Sequence, residues 1–286
     1  MTPFEKLAVI FQDIKIQHTV FALPFAVISA FLAAGGLPPW DKLFWIVVAM
    51  FGGRSAAMAF NRIVDARYDA TNPRTRDRAL PAQRISAGPY AVFLVASSLL
   101  LVWASYMLNP LAFYLSPVAL AIVFFYSLTK RFTPYSHLFL GFAIAVAPVG
   151  AWVAIREEIS LVSLVLGAAV VFWLAGFDVI YSCLDVEHDA QNRLHSIPRR
   201  FGLKTALWLA AAAHVAMVVI LLSLGWLTDL GPLYLFGVTC VAGMLGYEHS
   251  LVHPGDLSKV NFAFFNVNGA ISLVFMTLVI ADCVWI

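Results

Sequence analysis

Charge is what this sequence has least of. Asp, Glu, Lys and Arg make up 12% of its 286 residues, against roughly 25% in a soluble domain. So small a fraction excludes a disordered chain, which needs high charge and few apolar residues. It also cannot cover a soluble globule of this length. A net charge of +2 provides no field for nucleic acid. Cysteine is scarce as well. Cys183, Cys240 and Cys283 are odd in number and far apart, so they form no CxxC pair or disulfide framework and say nothing about compartment. A nucleotide-cradling GxxxxGK[ST] loop is missing. A cleavable signal peptide is not expected either, because Glu5, Lys6, Asp13 and Lys15 interrupt the first apolar stretch.

What remains is apolar. Hydrophobic residues make up 62% of the chain and the mean hydropathy is +0.86, which predicts an all-α integral membrane protein. A spanning helix needs about 20 apolar residues. Candidate spans are 18–36, 43–66, 89–108, 111–129, 135–155, 160–184, 205–226, 230–248 and 261–283, about nine helices in a single membrane-embedded domain, 1–286, around a central cavity. Pro89 to Thr129 holds no charge but is too long for one span, and Asn109-Pro110 supplies the break. Residues 1–17 read as an amphipathic lead-in with Phe4, Leu7, Ile10, Phe11 and Ile14 on one face.

Charge placement orients the bundle. Arg67, Arg74, Arg76, Arg78, Arg84, Lys130, Arg131, Arg193, Arg199, Arg200, Lys204 and Lys259 fall after helices 2, 4, 6 and 8, and the N-terminus adds Lys6 and Lys15. Only Lys42 and Arg156 fall in the opposite connections. Positive residues mark the cytoplasmic side. The expected topology therefore has the N-terminus and the charged loops cytoplasmic and the C-terminus outside, in a bacterial inner membrane.

Ionisable residues at membrane helix ends are expensive and usually functional. Asn61, Asp65 and Asp69 are spaced i, i+4, i+8; Asp178, Tyr181, Asp185 and Asp189 are spaced i, i+3, i+7, i+11. At about 100° per residue each set lines one helix face. Two facing carboxylate stripes repel one another unless a cation lies between them, and oxygen-only ligands suit Mg²⁺ where phosphate is also bound. Arg74, Arg76 and Arg78 follow the first set, and Arg193, Arg199 and Arg200 the second. Carboxylates, a divalent cation and guanidinium groups together describe a pyrophosphate site. The bland reading of each loop cation is a solvated charge, and of Asp65 and Asp69 a pair of helix-end carboxylates with arginine partners alone.

Asn61-Arg-Ile-Val-Asp65-Ala-Arg-Tyr-Asp69 resembles the NxxxDxxxD motif of the UbiA superfamily of intramembrane aromatic prenyltransferases. Asp178-Val-Ile-Tyr181-Ser-Cys-Leu-Asp185-Val-Glu-His-Asp189 resembles its second motif, DxxYxxxDxxxD. Tyr126-Ser-Leu-Thr-Lys130-Arg131 is similar to the family's YPxxKR element, with Ser127 for proline. Arg78-Ala-Leu-Pro81 is similar to RPLP, with Ala79 for proline. Arg54 stands seven residues before Asn61, as an arginine does in the 4-hydroxybenzoate members. The resemblance covers nearly the whole chain. It implies Mg²⁺-dependent transfer of a polyprenyl group from an allylic polyprenyl diphosphate to a small aromatic acid, 4-hydroxybenzoate or a related acceptor, in ubiquinone or menaquinone biosynthesis.

The resemblance assigns Asn61, Asp65, Asp69, Asp185 and Asp189 to metal and diphosphate, the four aspartates being catalytic. It assigns Arg54, Arg67, Tyr126, Lys130, Arg131, Asp178 and Tyr181 to substrates, with Asp178 binding metal or orienting the acceptor. Arg62 departs from the ubiquinone-pathway pattern, where an aspartate is common. Together with Asn72-Pro73-Arg74-Thr75 and Phe21-Ala22-Leu23-Pro24-Phe25 it resembles a futalosine-linked branch from menaquinone-producing bacteria, whose acceptor need not be 4-hydroxybenzoate.

Among the other polar residues, Arg54 alternatively pairs with Glu5, Asp13 or a backbone carbonyl. His18 is an acceptor contact or a helix-start residue, and Glu248-His249 is interfacial. Asn261, Asn266 and Asn268 hydrogen-bond between helices. Phe60, Phe172 and Trp173 are packing aromatics first and cation-stabilising ones second. Three competing readings stay open: the same fold acting on another acceptor, a secondary transporter with a membrane-edge cation site, and a non-catalytic membrane assembly factor. Prenyl chain length and oligomeric state are not encoded in any local pattern.

Overall fold

A computed structural model describes residues 1–15 and 21–285. His18 lies outside the described residues. The chain is helical throughout: α1 (Pro3–Asp13), α2 (Leu23–Ala34), α3 (Trp40–Asp69), α4 (Ala87–Leu108), α5 (Pro110–Thr129), α6 (Ser136–Arg156), α7 (Leu161–Ser182), α8 (Val186–Gln191), α9 (Ile197–Thr228), α10 (Pro232–Ser250), α11 (Val260–Phe262) and α12 (Asn268–Trp285). A π-helical turn, Ala263–Val267, joins the last two. Among the described residues seven helices are long and apolar enough to cross a membrane. Each of the nine expected spans coincides with a helix, but two fall short of that standard. The expected span 18–36 appears as the twelve-residue α2. The span 230–248 appears as α10, whose apolar character is diluted by three glycines and by Glu248 and His249 in its last turn.

Sequence explains the breaks. Asn109 takes an extended conformation, its Oδ1 accepts from Ala112 N at 2.8 Å, and Pro110 fills the first position of α5, where no N–H is needed. Its amide also donates to Val153 O (2.8 Å) and Ala154 O (3.2 Å), tying this corner to the end of α6. Lys42 and Arg156, the two cations of that end of the bundle, donate to the Leu108 and Ala33 carbonyls. They thereby satisfy helix-end acceptors that lipid cannot.

α7 is the central element. It packs on α6 and α9, and nearly every residue from Leu166 to Ser182 is buried. The approach to α6 is close: a Cβ on Gly141 would lie 2.6 Å from Val171 O, so glycine is required there. α3 crosses α4 in the same way at Gly52, where a Cβ would meet Leu101 N at 2.8 Å. The outer faces of α4, α5 and α9 expose Val95, Leu99, Trp103, Val118, Trp208 and Trp226, as lipid-facing helices do.

The lead-in helix α1 buries only its end. Phe4 and Leu7 are exposed, whereas Ile10 and Ile14 are buried. Asp13 fastens this end. Its carboxylate lies 3.3 Å from Arg62 Nε on α3 and accepts from Ala79 N (3.1 Å) and Tyr90 Oη (2.5 Å). One buried carboxylate thus joins α1, α3, the 70–86 loop and α4. Arg62, the residue that departs from the ubiquinone-pathway pattern, is 3% exposed and committed to this pair and to Asn61 Oδ1 at 2.9 Å. Removing one partner of a buried pair strands the other charge, at a cost of about 3–5 kcal/mol. Asp13→Ala is therefore expected to lower the thermal midpoint in detergent sharply, and the Asp13→Leu/Arg62→Leu double variant to recover only the part due to the stranded Arg62 charge, because Ala79 N and Tyr90 Oη still lack their acceptor.

Candidate functional site

α3 and α7 reach the same end of the bundle, where the acidic stripe of α3 and Asp185, just past α7, face a cavity of about 190 Å³. The 70–86 loop covers it from one side, and the α5–α6 connection from another. Asn61, Asp65 and Asp69 line it from α3, Asp185 from beyond α7, and Arg74, Arg78, Lys130 and Arg131 from the loops. His195 N donates to Lys130 O at 2.7 Å, locking two of the loops together.

Each carboxylate is matched with a base. Arg131 Nη2 lies 3.2 Å from Asp65 Oδ1 and also donates to Val64 O. Arg78 Nη1 lies 2.7 Å from both oxygens of Asp69. Arg74 grips Asp185 with two nitrogens, Nε at 3.2 Å and Nη2 at 2.5 Å. Lys130 Nζ lies 2.7 Å from Asp189 Oδ1. Neutral amides complete the set: Asn61 donates to Asp65 Oδ2 at 2.7 Å and Asn72 to Asp185 Oδ1 at 3.0 Å. The third nitrogen of Arg74 donates to Tyr181 Oη at 2.5 Å, and the guanidinium stands 4.6 Å from that ring's centre.

The crowding of charges has an electrostatic signature. Burial works against the Arg74 charge, but the Asp185 carboxylate outweighs it and holds the guanidinium above its ordinary value. Lys15 goes the other way: burial, then the charges of Arg78, Arg62 and Arg74, hold its ammonium below the lysine norm. Bases crowded this closely attract an anion with several negative charges.

The expected stripe 178–189 is not one α-helix. α7 tightens into a 3₁₀ turn, Cys183–Asp185, before α8, and the altered rotation places Asp189 behind Lys130, fully buried. Neither Asp189 oxygen has a well-directed hydrogen bond. Among the described residues no three His, Cys, Asp or Glu side chains are gathered as a metal site; their basic partners hold them apart. The donors themselves, Asn61, Asp65, Asp69, Asp185 and Asp189, are all oxygen, and they fit a hard ion such as Mg²⁺.

Not every expected residue reaches the cavity. Arg67 is exposed and sits about 200° around α3 from Asp65. Arg54 donates to the backbone oxygens of Lys15 (3.0 Å) and Ile14 (3.5 Å), the structural pairing foreseen for it, while its Nη1 is buried without a partner. Tyr126 is set back from the cavity lining, within electrostatic range of Arg54, Asp65 and Asp178. Asp178 bonds His137, and Tyr181 bonds Arg74.

Glu248 is not interfacial. It is fully buried and accepts from Asn268 at 2.8 Å, while Asn268 Oδ1 accepts from Trp173 Nε1 at 2.8 Å. Asn261 and Asn266 are exposed. Tyr68, Asn72, Thr75, Ser127, His188 and Leu194 line the cavity without having been singled out for it. Four of these had a signal in their place within quoted runs: Tyr68 and His188 inside the two acidic motifs, Ser127 in the Tyr126–Arg131 element and Asn72 before Arg74; Thr75 closes that last run, and Leu194 had none.

The UbiA prenyltransferase family matches residues 22–273. The 4-hydroxybenzoate octaprenyltransferase of Cupriavidus necator is 33% identical over 261 residues, 88% of each chain. That of Vibrio parahaemolyticus is 30% identical over 241 residues, 83% of each. The apo structure of a UbiA homolog from Aeropyrum pernix superposes with a TM-score of 0.85 at 32% identity, covering 93% of this chain and 98% of that one. A UbiA homolog from Archaeoglobus fulgidus bound to GPP and Mg²⁺ shares the fold at 16% identity, with a TM-score of 0.74 over 96% and 99%.

Arg74→Ala and Arg78→Ala are each expected to weaken binding of inorganic diphosphate by about tenfold in a calorimetric titration. Arg76→Ala, at an exposed position of the same loop, is expected to leave it unchanged. Equal losses in all three would assign the effect to loop charge in general.

Proposed function

The chain belongs to the UbiA prenyltransferase family, and we propose that it transfers a polyprenyl group from an allylic polyprenyl diphosphate to a small aromatic acid, 4-hydroxybenzoate or a related phenol. The observation that carries this reading is the cavity in which Arg74, Arg78, Lys130 and Arg131 meet Asp65, Asp69 and Asp185 at the edge of an apolar bundle. A donor with a multiply charged head and a long apolar tail needs both environments at once.

In this reading Asn61, Asp65, Asp69, Asp185 and Asp189 hold Mg²⁺, which neutralises charge on the diphosphate and makes it a better leaving group. The four bases turn from their carboxylates to the diphosphate oxygens. They stabilise the charge that develops there as the allylic C–O bond breaks and its electron pair departs with the diphosphate. Tyr181, with the Arg74 guanidinium over its ring and Phe264 packed against it, offers no free ring face but fixes that guanidinium beside the diphosphate. The ring carbon ortho to the acceptor's hydroxyl attacks the cation, and loss of the ring proton restores aromaticity. Arg54, with one buried nitrogen free, and Tyr126 lie deeper along α3 and α5 and serve the acceptor's carboxylate. The basic, cavity-bearing end faces the cytoplasm of a bacterial inner membrane, where both water-soluble parts of the reaction are supplied.

The test is turnover by purified protein in liposomes with geranyl diphosphate, Mg²⁺ and 4-hydroxybenzoate, read by mass spectrometry. An EDTA-sensitive prenylated acid is expected. Asp65→Asn and Asp185→Asn are expected to lower its formation by at least about a hundredfold while leaving the helical spectrum intact. Full activity in EDTA, or in both variants, would remove the metal assignment. Donor consumption without prenylated 4-hydroxybenzoate would transfer the reading to another acceptor.

A further inference from the structure

His137 is buried at the cavity end of α6, and nothing in the site described so far uses it. Its Nδ1 lies 2.7 Å from Asp178 Oδ2 on α7, and only 2% of its side chain is exposed. Its Nε2 receives the Ile197 N–H at 3.5 Å. That donor belongs to the first turn of α9, where Ser196 gives no side-chain cap. Because Nε2 accepts, the ring proton of the neutral imidazole sits on Nδ1 and is donated to Asp178. The tautomer is thus set by one backbone group and spent on one carboxylate oxygen.

Among the described residues, Asp65, Asp69, Asp185 and Asp189 each have an Arg or Lys partner, whereas Asp178 is paired with a histidine. Its recorded bond engages Oδ2 alone, and 22% of its side chain stays open. It precedes Asp185 by seven residues, so it sits about 10 Å deeper along α7. Asp178 lies beyond the cavity that Asp185 lines, and the offset matches in length an allylic carbon followed by one aromatic ring. It also brings Asp178 within electrostatic range of Tyr126.

We propose that His137 is a positioning residue for the aromatic acceptor: it holds Asp178 so that Oδ1 accepts a hydrogen bond from the acceptor's hydroxyl. The inference rests on the prenyl-transfer reading above. A carboxylate with one oxygen fixed has a single productive rotamer. A phenol bonded to it presents its ortho carbon at one height above the diphosphate. Without His137 the carboxylate rotates freely, and the acceptor loses its register while the donor keeps every contact it had.

The two ring nitrogens allow a discriminating experiment. Asn, by side-chain length, can reach the Nδ1 position and still donate to Asp178; Gln can reach the Nε2 position and still accept from Ile197 N. Steady-state kinetics in liposomes with geranyl diphosphate, Mg²⁺ and 4-hydroxybenzoate would be measured for His137→Asn, His137→Gln and His137→Leu, alongside calorimetric binding of 4-hydroxybenzoate. The expected result is a rise of about tenfold in the acceptor KM for the Gln and Leu variants, with the donor KM unchanged, and near-normal kinetics for the Asn variant. His137→Leu should add no further loss to Asp178→Asn. Should His137→Leu fail to fold, the Asn and Gln variants decide the matter by themselves. Rescue by Gln and not by Asn would make His137 a cap of α9 and overturn the proposal, as would equal changes in both KM values. A wild-type protein that turns over both substrates beside variants indistinguishable from it overturns this proposal and leaves the prenyl-transfer reading standing. A wild-type protein that neither binds nor converts the phenolic acid overturns both.

Discussion

Carboxylates matched with bases at one end of an apolar bundle are the interaction on which the rest of this structure depends. Asp65 and Asp69 come from α3, Asp185 and Asp189 from the 3₁₀ turn and short helix that follow α7, and Arg131, Arg78, Arg74 and Lys130 from the connecting loops. Without the bases, these two acidic segments would press like charges together in a poorly solvated place. With them, the loops are drawn over the helix ends and a polar cavity forms at one end of the apolar bundle. The same pairs keep the carboxylates from gathering as a metal site in isolation. In this account the cation and the diphosphate therefore arrive as mutual replacements, one for the bases and one for the carboxylates.

Structural charges are kept apart from these. Arg62 stands next to Asn61 in sequence yet belongs to Asp13 and the lead-in helix. Glu248 Oε1 accepts from Asn268, which in turn holds Trp173 of α7 and the Ala263 carbonyl at the π-helical turn. These groups fasten α1 and α12 to the bundle from opposite sides, so the cavity is built on helices held at both flanks.

Much of this was legible in the sequence because it is local. Apolar run length located the helices, Asn109-Pro110 marked a corner through capping chemistry, and i, i+4 spacing placed Asn61, Asp65 and Asp69 on one face. What was not legible is pairing across long separations. Nothing near Asp185 points to Asn72 or Arg74, more than a hundred residues earlier. Nothing near Glu248 foretells Asn268, whose side chain turns it from an interfacial residue into a buried one. The tightening of α7 at Cys183–Asp185 also escaped periodicity, since DxxxD spacing reads the same in a continuous helix. Arg67 is a different case: helical angle alone already turned it away from Asp65, and only its nearness in sequence favoured it. Each of the nine expected spans has its helix, α2 and α10 being the two that are shorter or less apolar than the rest.

The central claim is that bases and carboxylates form one site in which metal and diphosphate replace each other's partners. Its most direct test is calorimetric titration of the wild-type protein in nanodiscs with inorganic diphosphate, with and without Mg²⁺. The account predicts mutual dependence: diphosphate binds at least about tenfold more tightly with Mg²⁺ present, and Mg²⁺ is strengthened by diphosphate by the same factor. Diphosphate affinity that is the same with and without the metal would contradict it.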